Sequence, residues 1–151
     1  MTLRETEADM REERSIADKL RAAWGVVLQK LPKNYHIDYA IKRGDETIGY
    51  VECRRRNMHS GKFKTIYLSL KKWLGLSQVN NESHKPTYFV VQLDDKLLYT
   101  RADGRELKHS VDGNRRDEPE PVVHIPIEEM KEVKNHATKA LRRNGKKERG
   151  V

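Results

Sequence analysis

The sequence predicts a mixed fold of the α/β or α+β class, in which helices flank a central mixed sheet. One helical segment precedes three strand-like segments, and a second helical segment precedes a nearly apolar strand. The 151 residues are 36% hydrophobic and 36% charged, which leaves enough apolar surface for one modest core. We therefore expect a single domain over residues 1–134 and a basic, flexible tail over residues 135–151.

The first segment, residues 3–23, contains no glycine or proline and has the periodicity of an amphipathic helix. Thr2 and Glu5 have the spacing of a capping box at its start. Glu13 falls near the middle of the apolar stripe, where a carboxylate is costly unless it is paired or binds a metal. Two interpretations follow. Glu13 pairs with a nearby arginine at the edge of the core, or it belongs to a functional site.

Three strand-like segments follow the helix, and the last two flank the turn signal Arg43-Gly44-Asp45. They cover residues 24–31, 35–42 and 46–54.

Alternation along these strands sorts their side chains into faces. It places Asp38 on the face opposite Ile37, Tyr39 and Ile41. In the next strand one face is predicted to carry Ile48, Tyr50, Glu52 and Arg54. The two acids therefore converge on one point if the strands pair in the right register.

The remaining segments complete the predicted sheet. A cationic loop over residues 54–64 leads to a second helix over residues 66–79. Residues 86–93 are typical of a central strand covered on both faces, and residues 96–101 form an appended hairpin with it. The last predicted elements are a long polar loop over residues 103–121, a strand over 122–127 and a short helix over 128–134.

The formal net charge of +8 indicates a polyanionic partner such as nucleic acid. The residues predicted to contact phosphates are Arg55, Arg56, Lys62, Lys64, Ser69, Lys71 and Lys72. Such contacts would make the affinity fall strongly with salt, whereas a solvated charged loop would not. The interleaved aromatic residues either stack on bases or sugars or belong to the core, and they are Tyr50, Phe63 and Tyr67.

One cysteine, Cys53, cannot form an intramolecular disulfide, and no apolar run is long enough to span a bilayer. We therefore expect an intracellular protein that does not enter a membrane. The histidines have no zinc-ligand spacing with Cys53, so zinc is not expected.

Asp38, Glu52 and Arg54 are the candidates for chemistry. Mg²⁺ (or Mn²⁺) prefers oxygen ligands, which the two carboxylates and the backbone carbonyl of Cys53 would supply. Arg54, two residues past Glu52, points the same way and would orient a water or stabilise charge on phosphorus. An acid followed two residues later by a cation is common in charged chains, so the pattern depends on its context.

In these motifs the chain resembles the PD-(D/E)XK nuclease superfamily, which has the restriction-endonuclease-like fold. The resemblance covers residues 5–93 and lies in IDYAI around Asp38, in YVECR around Glu52, and in the basic loop and SLKKW helix of small phage-encoded members. It implies an αβββαβ core, metal binding by Asp38 and Glu52, an accessory acid at Glu13, and Lys72 facing the site. The implied protein is a Mg²⁺-dependent deoxyribonuclease of the host cytoplasm, with DNA favoured over RNA.

The chain departs from that superfamily at Arg54, where lysine is usual, and His36-Ile37 replaces a proline before Asp38. Arginine keeps its proton at any working pH and is a planar fork, so it suits a phosphate clamp better than proton transfer. Two alternatives stay open: a weak or inactive nuclease-like module that binds nucleic acid, and a phage accessory protein that binds a host protein. A monomer and a homodimer are equally compatible with the sequence.

Overall fold

A computed structural model describes residues 7–112 and 119–134 of the chain. The helices in these ranges are α1 (Glu7–Trp24) and α2 (Leu70–Ser83). The strands are β1 (Val27–Lys30), β2 (Tyr39–Arg43), β3 (Glu46–Arg55), β4 (Thr65–Ser69), β5 (Thr87–Gln92), β6 (Leu97–Arg101), β7 (Lys108–Asp112), β8 (Glu120–Pro126) and β9 (Lys131–Glu132). The predicted capping box of Thr2 and Glu5 and the predicted tail over residues 135–151 lie outside the described residues.

The main sheet has six strands in the order β1-β2-β3-β5-β6-β9. Strands β3 and β5 are parallel and the other neighbours are antiparallel, so the sheet is mixed. The predicted order of one helix, three strands, a helix and a strand is confirmed, with β4 inserted before α2. The predicted appended hairpin is part of the sheet itself, because β6 pairs with β5 on one side and with β9 on the other.

The two faces of this sheet bury separate apolar clusters. Helix α1 packs on one face, where Leu20 contacts a cluster that includes Val51 and Val90. Helix α2 packs on the other face, where Trp73 contacts a cluster that includes Phe89. Strand β5 is therefore buried on both sides, as its nearly continuous apolar sequence predicts.

The segment predicted as one helix over residues 66–79 is instead a strand followed by a helix. Residues Thr65–Ser69 form β4, in which Ile66 and Leu68 are buried and Tyr67 is exposed, and the helix begins at Leu70. The helical prediction was wrong there because Ile66 and Leu70 are four residues apart, a spacing that also fits a helix. Long-range pairing decides the outcome, since β4 joins the three-stranded sheet β4-β8-β7.

Two C-terminal predictions are also corrected by long-range pairing. The predicted polar loop over residues 103–121 contains β7, which pairs with β8. The predicted short helix over residues 128–134 is a single 3-10 turn, Ile127–Glu129, followed by β9.

Asp38 lies in a bend just before β2 and not within the strand. The bend places Ile37 in the cluster under α2, whereas Tyr39 and Ile41 pack under α1, so the predicted face of Ile37 is wrong. Ile48 likewise packs on the α1 side, because the pairing of β2 with β3 shifts register there. Within the described part of the chain, neither helix has the length and apolar character needed to cross a bilayer.

Candidate active site

Asp38 is held at the end of the β2–β3 pairing. Tyr39 pairs with Val51, so Asp38 lies beside the Glu52–Cys53 peptide, and its Oδ2 accepts a hydrogen bond of 2.8 Å from the Cys53 backbone N–H. Its side chain is only 18% exposed. The hairpin register therefore brings the carboxylate of Asp38 to the strand that carries Glu52.

Glu52 lies on the same side of β3 as Arg54, as the alternation predicts. Its carboxylate is 2% exposed and forms an ion pair with the Arg54 guanidinium. The Lys72 ammonium lies 3.4 Å from Glu52 Oε2 and donates a hydrogen bond of 2.8 Å to the His36 carbonyl. Lys72 reaches this position from the first turn of α2, where its backbone N–H donates to the capping Ser69 hydroxyl at 3.3 Å.

The second carboxylate oxygen of Glu52, Oε1, is buried and accepts no hydrogen bond within the described structure. A buried carboxylate oxygen without a partner is costly, and such groups are accounted for by strain, by a catalytic role, or by a bound water or ion. Oxygen donors of this kind suit Mg²⁺ or Mn²⁺. The Cys53 carbonyl, the predicted third ligand, accepts from Arg54 Nη1 at 3.3 Å. Among the described residues, no three His, Cys, Asp or Glu side chains are grouped closely enough to hold a metal ion. The predicted ligand set contains only two such side chains, Asp38 and Glu52, and the Cys53 carbonyl.

Glu13 is buried on α1 and belongs to the same group of charges. Its carboxylate accepts from the Lys30 ammonium and from the Tyr39 phenol. Lys30 also lies 4.0 Å from Asp38 Oδ1 and 5.2 Å from the centre of the Tyr39 ring. The partner of Glu13 is thus a lysine and not the arginine suggested by the sequence.

Lys30 is a site residue that the sequence reasoning missed. It pairs with Tyr39 across the β1–β2 ladder, which places it beside Asp38. A signal existed, because Lys30 is a cation near the end of the strand-like segment that comes directly before the segment of Asp38. The register that brings the two together could not be read from the sequence.

Three acids in one partly buried site repel one another. Burial raises the pKa of the Asp38 carboxyl to about 7, and the charges of Glu52 and Glu13 add to the effect. The Cys53 N–H and the Arg54 charge act in the opposite direction. Burial, reinforced by the same acids, also raises the pKa of the Cys53 thiol, which therefore stays neutral.

The raised pKa of Asp38 predicts a pH-dependent stability. A folded-state pKa of about 7 exceeds the ordinary 3.8, so the folded protein binds the proton more tightly and stability is lost as the pH rises from about 4 to 7. We expect the Asp38 contribution to the free energy of unfolding to fall by about 2–3 kcal/mol between pH 5 and pH 8. Urea unfolding without divalent metal should show this loss in wild type but not in Asp38→Asn. The exposed hairpin variant Asp45→Asn should retain it, and equal slopes in wild type and Asp38→Asn would contradict the expectation.

The other predicted phosphate contacts either have polar partners of their own or have exposed side chains. Arg55 pairs with Asp94 at 2.9 Å, and Arg56 donates to the Tyr67 carbonyl at 3.3 Å. Two hydrogen bonds hold the loop between β3 and β4 against the β5–β6 turn. The Asp95 carboxylate accepts from the Ser60 N–H at 2.8 Å and from the Ser60 hydroxyl at 2.6 Å. Three predicted contacts have exposed side chains, namely Lys62, Lys64 and Lys71.

The chain is similar to one family of known proteins and to solved structures. The family described as "Phage putative PDDEXK endonuclease" matches residues 2–133. The 1.6 Å structure of Archaeoglobus fulgidus Hjc, described as a Holliday junction resolvase from an archaeal hyperthermophile, is similar with a TM-score of 0.59 and 16% identity. The match covers 85% of this chain and 94% of that chain, and it shows the restriction-endonuclease-like fold. No curated protein matches the sequence.

Proposed function

This chain belongs to that PDDEXK endonuclease family, and we propose that it hydrolyses phosphodiester bonds in DNA with the help of Mg²⁺ or Mn²⁺. The observation that carries the proposal is the buried Glu52 carboxylate, which has one oxygen without a partner. Beside it lie a second carboxylate, Asp38, and two cations. The net charge and the lone cysteine fit a partner such as DNA in the reducing cytoplasm of a host cell.

Asp38 and Glu52 would hold the divalent ion, with the Cys53 carbonyl as a third oxygen. Bound there, the ion would polarise the phosphate and lower the pKa of the attacking water. The Cys53 N–H orients Asp38 by donating to one of its oxygens, and the other oxygen points toward Lys30. Folding therefore holds both carboxylates in place before any substrate arrives.

Two cations share the work that one lysine usually performs in this superfamily. Arg54 presents a planar fork suited to clamping a phosphate, while the compact ammonium of Lys72 suits the placing of a single water or a developing negative charge. Lys72 is 22% exposed and lies within reach of Glu52 and of solvent. We therefore assign the water-orienting role to Lys72 and the phosphate-binding role to Arg54.

Glu13 would not contact the phosphate itself and would act through its neighbours. Its ion pair with Lys30 and its hydrogen bond from Tyr39 hold Lys30 near Asp38. Glu13 and Lys30 thereby position Asp38 and moderate its charge. This assignment gives the buried carboxylate of α1 a supporting role in the site.

A cleavage assay tests the proposal. Wild type should cut at least one of single-stranded, duplex and branched DNA when Mg²⁺ or Mn²⁺ is present, and chelation with EDTA should stop it. Asp38→Ala should abolish the cleavage and Asp45→Ala should not. If all three substrates stay intact with both metals, or if Asp38→Ala changes nothing, the enzyme proposal fails.

The second candidate function is a nuclease-like module that binds DNA without cutting it. It is favoured by the ion pairs within the site, since Arg54 already neutralises Glu52 and Lys30 already neutralises Glu13. DNA binding by a wild-type protein that cuts none of the three substrates would support this candidate.

A further inference from the structure

The three-stranded sheet β4-β8-β7 has one face that the core does not use. Its inner face is buried among the α2 side chains, with Ile66, Leu68, Val123 and Ile125. On the outer face the register aligns Tyr67, His124 and Lys108 in one row across the three strands. Tyr67 is 44% exposed, so an aromatic ring stands at the surface beside a basic loop.

The rings of Tyr67 and His124 form a preassembled stack. Their centres lie 4.5 Å apart and their planes differ by 12°. His124 Nε2 lies 2.8 Å from the Ser110 hydroxyl, a contact that holds the imidazole plane. Two parallel rings on neighbouring strands therefore present a rigid π-surface at low entropic cost.

Cations flank this stack on both sides. The Arg56 guanidinium donates to the Tyr67 carbonyl at 3.3 Å, and Lys108 ends the row across β8 and β7. A π-surface between cations is complementary to a nucleic-acid strand, in which bases alternate with phosphates.

The same face leads back to the candidate active site. Ser69, two residues after Tyr67, caps α2 and accepts from the Lys72 N–H, and Arg56 lies two residues after Arg54. Tyr67 is about 7 Å from Ser69 along the strand, which is about two base rises of B-DNA. Bases on the stack would therefore lie about two base rises from Ser69, the residue that caps the helix carrying Lys72.

We propose that Tyr67 and His124, flanked by Arg56 and Lys108, form a stacking site for unpaired bases of the DNA strand that enters the active site. The inference rests on the proposed function, because it takes nucleic acid as the substrate. A base inside a duplex is covered on both faces by its neighbours, so it can lie against a protein ring only after it has left the stack. The substrate class is therefore DNA with a single-stranded or frayed segment next to the cleaved phosphate.

Binding measured without divalent metal tests this site separately from cleavage. The probes are a single-stranded oligonucleotide that contains 2-aminopurine and a duplex of the same length, followed by anisotropy and by quenching of the base analogue. Tyr67→Leu should weaken single-strand binding about tenfold and remove the quenching, while duplex affinity changes less than about twofold. Tyr67→Phe should behave like wild type, and so should Val111→Ala, an exposed position in the same sheet.

Salt dependence distinguishes stacking from a lost phosphate contact. Tyr67→Leu removes no charge and should leave the slope of log K against log salt unchanged, whereas Arg56→Gln should reduce the slope by about 0.7 for a single strand. The inference is overturned if Tyr67→Leu weakens single-strand and duplex binding equally. It is also overturned if neither Tyr67→Leu nor His124→Leu weakens single-strand binding. A wild type that cuts no DNA but retains Tyr67-dependent quenching would contradict the proposed cleavage and support the stacking site.

Discussion

Glu52→Gln is expected to lower the rate of metal-dependent DNA cleavage by at least about 10³-fold, because the ion that Glu52 would hold contributes several kcal/mol to the transition state. Glutamine matches glutamate in size but carries no charge, and the Glu52 oxygen without a partner lies at the centre of the site. Single-turnover cleavage of one labelled substrate, with Mg²⁺ in excess, measures the loss. DNA affinity, measured without metal, should stay within about threefold of wild type or rise, since the change removes a negative charge next to the strand.

The matched control for this variant is Glu46→Gln. Glu46 lies at the exposed start of the same strand, so its loss removes the same charge from β3 without touching the site. Its cleavage rate should remain within about twofold of wild type. Thermal unfolding of both variants checks that the fold is intact. If the Glu52→Gln protein is folded and cuts at the wild-type rate, Glu52 is not a metal ligand of the reaction.

Lys72→Met is expected to lower kcat by about 10²–10³-fold, the range found when one preorganised donor to a developing charge is removed. Methionine keeps much of the side-chain length and loses the ammonium that lies 3.4 Å from Glu52 and 2.8 Å from the His36 carbonyl. KM should change little, because the proposed contact acts on the reaction more than on the binding of the strand.

Lys71 provides the comparison that makes this test specific. It is the exposed neighbour of Lys72 in the first turn of α2 and is a predicted phosphate contact. Lys71→Met should raise KM and leave kcat within about twofold, which is the opposite pattern. Lys72→Arg keeps the charge but replaces a compact ammonium with a planar fork, so it should recover only part of kcat. If Lys71→Met and Lys72→Met both change KM alone, Lys72 is a phosphate contact and Arg54 is the better candidate for orienting the water.

Much of the fold follows from local patterns in the sequence. The 3.6-residue period of α1 places Glu13 on the buried face, and Glu13 is indeed buried. The turn at Gly44 joins β2 to β3, and the two-residue period of β3 puts Glu52 and Arg54 on one side. These features are local, so neighbouring residues are sufficient to specify them.

Other features depend on partners that are distant in the chain. Strand β4 pairs with β8, whose residues lie more than fifty positions further along, and this pairing overrides a helical pattern in Ile66 to Leu70. The bend at Asp38 and the register shift at Ile48 depend instead on the exact register within the β2–β3 hairpin, which a two-residue period does not specify. A pattern of apolar residues cannot distinguish these outcomes when two periodicities fit it equally well.

The amino-acid sequence by itself determined which residue types were available for chemistry: two acids close to one predicted hairpin, a third on the first helix, and arginine where lysine is usual. Only the tertiary structure decided their partners. Lys72 contacts Glu52 because α2 begins at Leu70, and Lys30 contacts Glu13 because β1 pairs with β2 in one register. The physical reason is the distance along the chain over which each effect acts. Side-chain periodicity is set by residues a few positions apart. Electrostatic pairing in a buried site depends on how closely segments that are far apart in the chain approach one another.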